Sequence, residues 1–317
     1  MKKCFFIHPP KCAGTSFWAY CGQHIYGFDK CFPIRNFAAF FDDTWIETHS
    51  IGHDEIAKSD WIGGHYSYPC LSAMLGPRAS EFEACILLRE PIDRVLSSYN
   101  FRLDIEKIKN RNVRDDILYE DMKKAGFLKF ENLVKASSLG REGFLEILRE
   151  AKVGRSPKAY EFMRIRSRLP EFISRPPGQI LGDYVRGSVD KETFLRYKNS
   201  EISYPNTLTW GLMDTKKMGM THTDWVEKAK SDVGSCWIGL TDRTPQSYRL
   251  FHNAYGWGEF DENNILQKNI SENPLIKREE LSDDTIEDLK RLLSYDYEIY
   301  EHTKALHYKQ CEEMGIE

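Results

Sequence analysis

Residues 2–17 read KKCFFIHPPKCAGTSF, and the architecture of the chain can be interpreted outward from them. The segment opens with a short apolar run that is typical of a β-strand. The two prolines at positions 9 and 10 end this strand, because proline has no N–H group to donate to a sheet. From Thr15 to about Tyr26, large apolar residues recur at near-helical spacing. The predicted order is therefore strand, tight loop and helix.

The loop between this strand and this helix has the composition of an anion-binding site. The small residues Ala13 and Gly14 let backbone N–H groups converge on a ligand, and Thr15 and Ser16 follow where the helix starts, as caps and hydroxyl donors. Lys11 adds a full positive charge, so the expected guest is a phosphate or a group of similar shape. The alternative is an ordinary strand-to-helix turn with a surface lysine.

The order of residues in this loop differs from that of the common nucleoside triphosphate loop, G-x-x-x-x-G-K-S/T. In that loop the lysine follows the last glycine, and the next hydroxyl binds magnesium. Here Lys11 precedes Gly14, so the pattern is not met. No cluster of metal-ligating residues is visible in the sequence, and we expect no metal.

A second strand, turn and helix follow later in the first hundred residues. Residues 82–88 are apolar at nearly every position from Ala84, as expected for a parallel strand covered on both faces. Arg89 and Glu90 then precede Pro91, which suits the first turn of a helix. Residues 61–69 and 236–241 predict two further strands. The repeated order predicts a doubly wound α/β sheet that binds ligands at the carboxyl ends of its strands.

Composition limits the class of protein. The chain has 317 residues, 41% of them hydrophobic and 29% charged, and a formal net charge of −4, which gives no global attraction to nucleic acid. The sequence contains no run of about 18 apolar residues, so we predict no transmembrane segment. The eight cysteines are scattered without a C-x-x-C pair, and the candidate loop begins almost at Met1. We therefore expect free thiols, no removable leader and a cytoplasmic location.

The segment from about 103 to 200 differs from the rest, because it is charged and helical in character. Between residues 151 and 200 there are eleven Lys or Arg against five Asp or Glu, densest at Arg164, Arg166 and Arg168. A solvated helix face is the simplest interpretation of such a charge run. We predict a single domain spanning residues 1–317, in which this segment is a helical insertion on the acceptor side.

Three motifs resemble those of the sulfotransferases. Residues 6–17 resemble the phosphosulfate-binding loop of the branch that contains carbohydrate 2-O-sulfotransferases and their bacterial relatives, where P-K-x-x-G/S-T-S follows the first strand. Residues 85–99 resemble the second hallmark, a strand ending in Arg-Asp-Pro with a serine eight residues after the arginine, although Glu90 replaces the aspartate. Residues 237–243 resemble, more weakly, a Gly-Leu-Thr-Glu-Arg segment. Residues 103–200 match no pattern that we can name.

The resemblance implies a P-loop-like central parallel sheet flanked by helices and the donor 3′-phosphoadenosine 5′-phosphosulfate. The 5′-phosphosulfate would lie on the N–H groups of residues 13–16, and Lys11 would stabilise the charge that develops on the bridging oxygen. The separate 3′-phosphate would be bound by the guanidinium of Arg89 and the hydroxyl of Ser97. The alternative for Arg89 is a salt bridge with a neighbouring acid at the strand end.

The acceptor hydroxyl must lose a proton during transfer, and His65 is the candidate base. The segment Gly-His-Tyr-Ser-Tyr that contains it resembles the Gly-His segment that supplies the base in the same branch. An unperturbed imidazole titrates near neutrality. His8 and Glu90 are competitors, although His8 directly before the prolines is more often structural. A packed or capping role for His65 is the other interpretation.

The sequence thus predicts an enzyme that transfers a sulfuryl group to an acceptor hydroxyl, with a carbohydrate as the favoured acceptor. A P-loop kinase-like nucleotide enzyme is one alternative, and magnesium-dependent ATP binding would indicate it. A non-catalytic nucleotide-binding module is the other. The sequence makes no prediction of the oligomeric state.

Overall fold

The computed structural model describes most of the two ends of the chain: residues 1–33, 58–64, 76–103, 221–266 and 276–317, together with 130, 131 and 134. His65 and nearly all of the insertion predicted at about 103–200 lie outside these described residues. The division into domains and the role of the basic segment therefore stay predictions.

The core of the fold is a five-stranded parallel sheet. Its strand order is β2-β3-β1-β4-β5, so the first strand of the chain is the central one. The predicted α/β class with a parallel sheet is confirmed. The strands are β1 (Lys3–Ile7), β2 (Cys31–Pro33), β3 (Trp61–Gly64), β4 (Phe82–Leu88) and β5 (Trp237–Leu240).

Six α-helices accompany the sheet in the described residues. The first ends in a π-helical turn, Cys21–Ile25, and short 3-10 turns occur at several strand and helix ends. The helices are α1 (Gly14–Tyr20), α2 (Pro91–Leu103), α3 (His222–Val233), α4 (Thr244–Tyr255), α5 (Asp283–Leu292) and α6 (Ser294–Glu313).

Both faces of the sheet are covered, as the apolar strands require. Successive residues of a strand point to opposite faces, so Phe5 and Ile7 pack with helices α3 and α6, while Cys4 and Phe6 pack with α1 and α4. All four side chains are buried. At about 25 cal/mol per Å² of apolar surface removed from water, these two layers supply the main stabilisation of the sheet.

Strand β5 lies at an edge of the sheet, and helix α6 satisfies its outer backbone groups. The Gln310 side chain accepts a hydrogen bond from the Ile238 N–H (2.9 Å) and donates one to the Cys236 carbonyl (2.8 Å). Nδ1 of His307 donates to the Ile238 carbonyl (2.8 Å). These contacts remove the unpaired groups that an edge strand would otherwise present to another chain.

Two further expectations can be compared with the structure. The seven cysteines among the described residues are all free and buried. No helix in the described part of the chain is both long and apolar enough to cross a membrane.

Candidate functional site

The carboxyl ends of the strands place the candidate residues at one edge of the sheet. Ile7 at the end of β1 pairs with Gly64 at the end of β3 and with Ile86 near the end of β4. The His8 N–H also donates to the Gly64 carbonyl (2.8 Å). Consequently the loop after β1 and Arg89 after β4 begin side by side. β3 ends at Gly64, the residue before His65, which itself lies outside the described residues.

The loop after β1 has an unusual backbone. Lys11 (φ 68°) and Ala13 (φ 57°) are the two non-glycine residues with positive φ in the described part of the chain. For residues with a side chain, the left-handed conformation costs about 1–2 kcal/mol each. Such strain persists only where the surrounding structure holds it, and it is concentrated at functional sites. The backbone conformation therefore makes this loop a candidate functional site.

Two arginines hold the carbonyl groups of this loop. The guanidinium of Arg94, which is fully buried in α2, donates from Nε to the Pro10 carbonyl (2.8 Å). Arg89 donates to the Lys11 carbonyl over a longer distance, 3.4 Å. Arg89 therefore contacts the loop directly, whereas the neighbouring acid, Glu90, forms its ion pair with Arg278. The structure thus brings the Arg89 guanidinium to the backbone of Lys11.

Arg94 was not singled out from the sequence. It lies among the apolar residues Ile92, Val95 and Leu96, all of which are buried. A single arginine inside the apolar pattern of a helix was the available signal, because a buried charge requires partners. What the pattern could not show is that its partner is the Pro10 carbonyl.

Gly14 has a steric role that the structure makes clear. A Cβ atom built on Gly14 would lie 2.1 Å from Nε2 of His8, so no larger residue fits without movement of the imidazole. The His8 ring also stacks on Phe6, with 5.5 Å between the ring centroids. The His8 ring therefore packs closely against the loop at Gly14, which supports a structural role for His8 over a role as the base.

Helix α1 begins earlier than the sequence suggested. Its N-cap is Ala13, whose carbonyl accepts from the Phe17 N–H (3.0 Å), and no side chain caps this end. The expectation that Thr15 and Ser16 act as caps was wrong, because the left-handed Ala13 is the N-cap and the helix starts at Gly14. Both hydroxyls lie in the first turn instead, with Thr15 exposed and Ser16 buried. The N–H groups in the first turn of an α-helix point toward the preceding loop, as an anion site needs.

Glu90 is occupied by structural contacts. Its carboxylate accepts hydrogen bonds from the Asp93 N–H (2.8 Å) and the Tyr297 hydroxyl, and it pairs with Arg278 (2.8 Å). Burial, and then the carboxylate itself, raise the pKa of the Tyr297 hydroxyl, which therefore stays protonated and donates. All three contacts hold the carboxylate in a structural role, and this argues against Glu90 as the base.

Ser97 is partly exposed and lies on α2, the same helix that carries Arg94. Its hydroxyl is two turns beyond the start of that helix at Pro91. A role in binding the donor's 3′-phosphate stays a prediction for Ser97, as it does for Arg89.

Comparison of the chain with protein-family models, with curated proteins and with solved structures finds no match. In the ranges that the structure describes, no group of three or more His, Cys, Asp or Glu side chains is placed to hold a metal ion. The interpretation of the site therefore depends on its own geometry and on the motifs in the sequence.

Proposed function

We propose that this chain is a sulfotransferase that moves a sulfuryl group from 3′-phosphoadenosine 5′-phosphosulfate to a hydroxyl group, on a carbohydrate or glycoconjugate. The observation that supports this best is the strained loop between β1 and α1, with Lys11 within it and Arg89 against it. A loop of this shape at the start of a helix suits a phosphosulfate.

The charges of the site suit a donor with two separate anionic groups. The first-turn N–H groups of residues 14–16 and the Lys11 ammonium would bind the 5′-phosphosulfate. A guanidinium has five N–H donors, so Arg89 can contact the Lys11 carbonyl and the 3′-phosphate together. Ser97 would add a hydroxyl to the second phosphate. A nucleoside triphosphate enzyme has no need of this second anion site.

The position of the loop supports a P-loop-like arrangement as part of the proposal. The loop follows the central strand β1 and precedes helix α1, and ligands of open parallel sheets bind where neighbouring strand connections diverge. In the strand order β2-β3-β1-β4-β5, the chain continues from β1 to β2 on one side and from the neighbouring β4 to β5 on the other.

In this proposal the chemistry is stabilisation of the leaving group combined with removal of the acceptor proton. Lys11 would offset the negative charge on the bridging oxygen as the S–O bond breaks, and removal of such a donor costs about 10²–10³-fold in kcat. His65 would accept the proton of the acceptor hydroxyl. Strand β3, which precedes His65, ends beside Ile7 and the loop. The basic segment 151–200 would suit an acidic glycan.

The experiment is transfer of labelled sulfate from the donor by wild type, Lys11→Ala and the control Lys2→Ala. Lys2 is also near the amino terminus, but it is a half-exposed residue paired with Glu83 at 2.7 Å. We expect Lys11→Ala to lose at least 100-fold in kcat and Lys2→Ala to match the wild type. Unchanged transfer by Lys11→Ala would remove the proposed mechanism.

Binding measurements separate the alternatives. Calorimetry with adenosine 3′,5′-bisphosphate should show binding that does not depend on magnesium. Magnesium-dependent binding of ATP without binding of the bisphosphate would instead indicate a kinase-like nucleotide enzyme. Binding of the bisphosphate without any sulfate transfer to a panel of glycans would favour a non-catalytic module.

A further inference from the structure

A cavity of about 370 Å³ lies beside the carboxyl-terminal part of helix α6, apart from the loop described above. Its walls include Arg243, Gln246, His307, Cys311 and Glu312. This volume is at the lower end of the range, about 300–1,000 Å³, that small-molecule sites occupy. Of these five side chains only Arg243 belongs to a sequence motif, the segment 237–243, and the proposed transfer reaction uses none of them.

Cys311 and His307 form a thiol–imidazole pair in this cavity. They are four residues apart on α6 and so share one face of the helix, with Cys311 Sγ 3.6 Å from His307 Nε2. Nδ1 of His307 must be the protonated nitrogen, because it contacts the Ile238 carbonyl (2.8 Å), which can only accept. In the neutral ring, Nε2 is then an acceptor, and it is the ring nitrogen nearer the thiol, since Cys311 Sγ lies 3.9 Å from Nδ1. A base held by a third group beside a nucleophile is the arrangement that activates nucleophiles in enzymes.

The surroundings determine how the pair behaves near neutral pH. Burial lowers the pKa of His307, which keeps the imidazole neutral and able to accept a proton. Burial also raises the pKa of the Cys311 thiol, while the charge of Arg243 opposes this shift. Cys311 is therefore mostly a thiol at rest, and His307 is needed to remove its proton as it reacts.

The other described cysteines lack this environment. Cys311 is 6% exposed, the largest value among the seven, and it lines the cavity. Cys236 is similar in burial at 3%, but its thiol contacts the Asp232 carbonyl (3.7 Å). Cys236 is consequently a matched control for reactivity at Cys311.

Arg243 gives the cavity one positively charged group that can bind a carboxylate. It follows β5 in the turn Thr241–Arg243, is exposed, and lies over the ring of Tyr308 with its guanidinium carbon 5.2 Å from the ring centroid. The stacking fixes the guanidinium while leaving its edge able to bind a carboxylate. Glu312 and Glu317, which also line the cavity, would favour ligands that carry an amino group as well.

We propose that this cavity is a thiol-modification site, in which Cys311 exchanges with a small disulfide that bears carboxylate groups. The Cys311 sulfur attacks one sulfur of the disulfide, His307 Nε2 takes the thiol proton, a new S–S bond forms, and the old one breaks. The leaving thiolate receives the proton, so one thiol and one mixed disulfide result. Arg243 binds a carboxylate of the group that remains attached to Cys311 in the mixed disulfide. The inference is independent of the proposed sulfuryl transfer.

The test is the rate at which each cysteine of the folded, reduced protein forms a mixed disulfide with glutathione disulfide, measured by mass spectrometry of peptides. We expect Cys311 to react at least tenfold faster than Cys236. In His307→Gln, whose amide can still donate to the Ile238 carbonyl, the rate at Cys311 should fall at least fivefold. Equal rates at Cys311 and Cys236, or an unchanged rate in a folded His307→Gln variant, would overturn the proposal.

Arg243→Gln supplies a second readout that does not depend on the folding of the histidine variant. Because Arg243 is exposed, its replacement should leave the fold intact. The wild type should react faster with glutathione disulfide than with the neutral bis(2-hydroxyethyl) disulfide, and Arg243→Gln should reduce this preference at least threefold. An unchanged preference would refute recognition of the carboxylate and with it the proposed class of ligand.

Discussion

Replacement of Arg94 by methionine tests whether the buried arginine holds the loop between β1 and α1, which is the proposed anion site. Methionine retains much of the apolar stem of the side chain but removes the Nε–H group that donates to the Pro10 carbonyl (2.8 Å). Arg94 is fully buried, so water does not readily replace the lost donor. The carbonyl that precedes Lys11 then loses the contact that directs it toward α2.

The magnitude follows from two competing terms. The left-handed conformations of Lys11 and Ala13 cost about 2–4 kcal/mol together. A hydrogen bond from a charged donor supplies about 1.5–3 kcal/mol, which is comparable with this strain. Without it, the loop should relax, and a shift of about 2 kcal/mol lowers the population of the strained form about 30-fold. Apparent affinity for an anion that needs this form falls by the same factor.

Two measurements check the prediction. Calorimetry with adenosine 3′,5′-bisphosphate should give a dissociation constant at least tenfold higher for Arg94→Met, and amide hydrogen exchange of residues 11–16 should become faster even without ligand. The control is Arg291→Met, which removes an arginine that is 64% exposed and pairs with Asp288 on α5. An exposed pair of this kind is worth about 0–1 kcal/mol, so binding should not change.

An Arg94→Met protein that unfolds more easily in urea but binds the bisphosphate within threefold of the wild type would refute a role for Arg94 in holding the loop. In that case Arg94 would stabilise α2 without holding the loop. Arg94→Lys refines the result, because it keeps the charge but places its donor differently. It should bind more weakly than the wild type if the position of Nε matters.

Three further perturbations have expected outcomes. Gly14→Ala should lower the free energy of unfolding by about 1–3 kcal/mol, because its methyl group would clash with the His8 ring. Adding His8→Ala should restore much of this loss, as measured by urea denaturation. An absence of rescue would contradict the clash. Burial lowers the pKa of His252 from its usual 6.5, so the contribution of the neutral imidazole to stability is present above pH 6.5 and is lost as pH falls below it. The wild type should therefore lose more stability than His252→Gln between pH 6.5 and 5. Parallel pH profiles of the two proteins would contradict this. Glu90→Asp should retain the cap of α2 but weaken the ion pair with Arg278, which lowers the free energy of unfolding by about 0.5–1 kcal/mol. Glu90→Ala should cost about 1 kcal/mol more, because it also removes the cap. Equal losses in the two variants would show that the cap contributes nothing.

Much of the sheet could be predicted from the sequence, because its signals are local. The continuous apolar run at residues 82–88 predicted a buried parallel strand, and β4 has these same bounds. The short runs at residues 2–8 and 236–241 predicted β1 and β5 within a residue or two. The positions of Lys11 after β1 and Arg89 after β4 also followed, because both residues come directly after a predicted strand.

The features that shape the site could not be predicted, because they depend on contacts between distant parts of the chain. Left-handed conformations at Lys11 and Ala13 contradict the preference of residues with a side chain, and only their surroundings explain them. Arg94 and Pro10 are 84 residues apart. The Gln310 side chain accepts a hydrogen bond from the Ile238 N–H in β5, which precedes it by 72 residues. Local patterns contain no signal for such pairings.

Glu90 shows how a departure from a motif can be explained by tertiary structure. Helix α2 begins at Pro91, so Glu90 occupies the N-cap position and accepts from the N–H of the third helical residue, Asp93. Aspartate performs this task well, but its shorter side chain reaches less far. The longer glutamate also contacts Tyr297 of α6 and Arg278. These contacts join the C-terminal segment to the start of the helix that carries Arg94. The loop between β1 and α1 is therefore connected, through α2, to a residue more than 180 positions from Glu90, and Arg278→Gln should weaken binding of the bisphosphate without removing any residue of the loop.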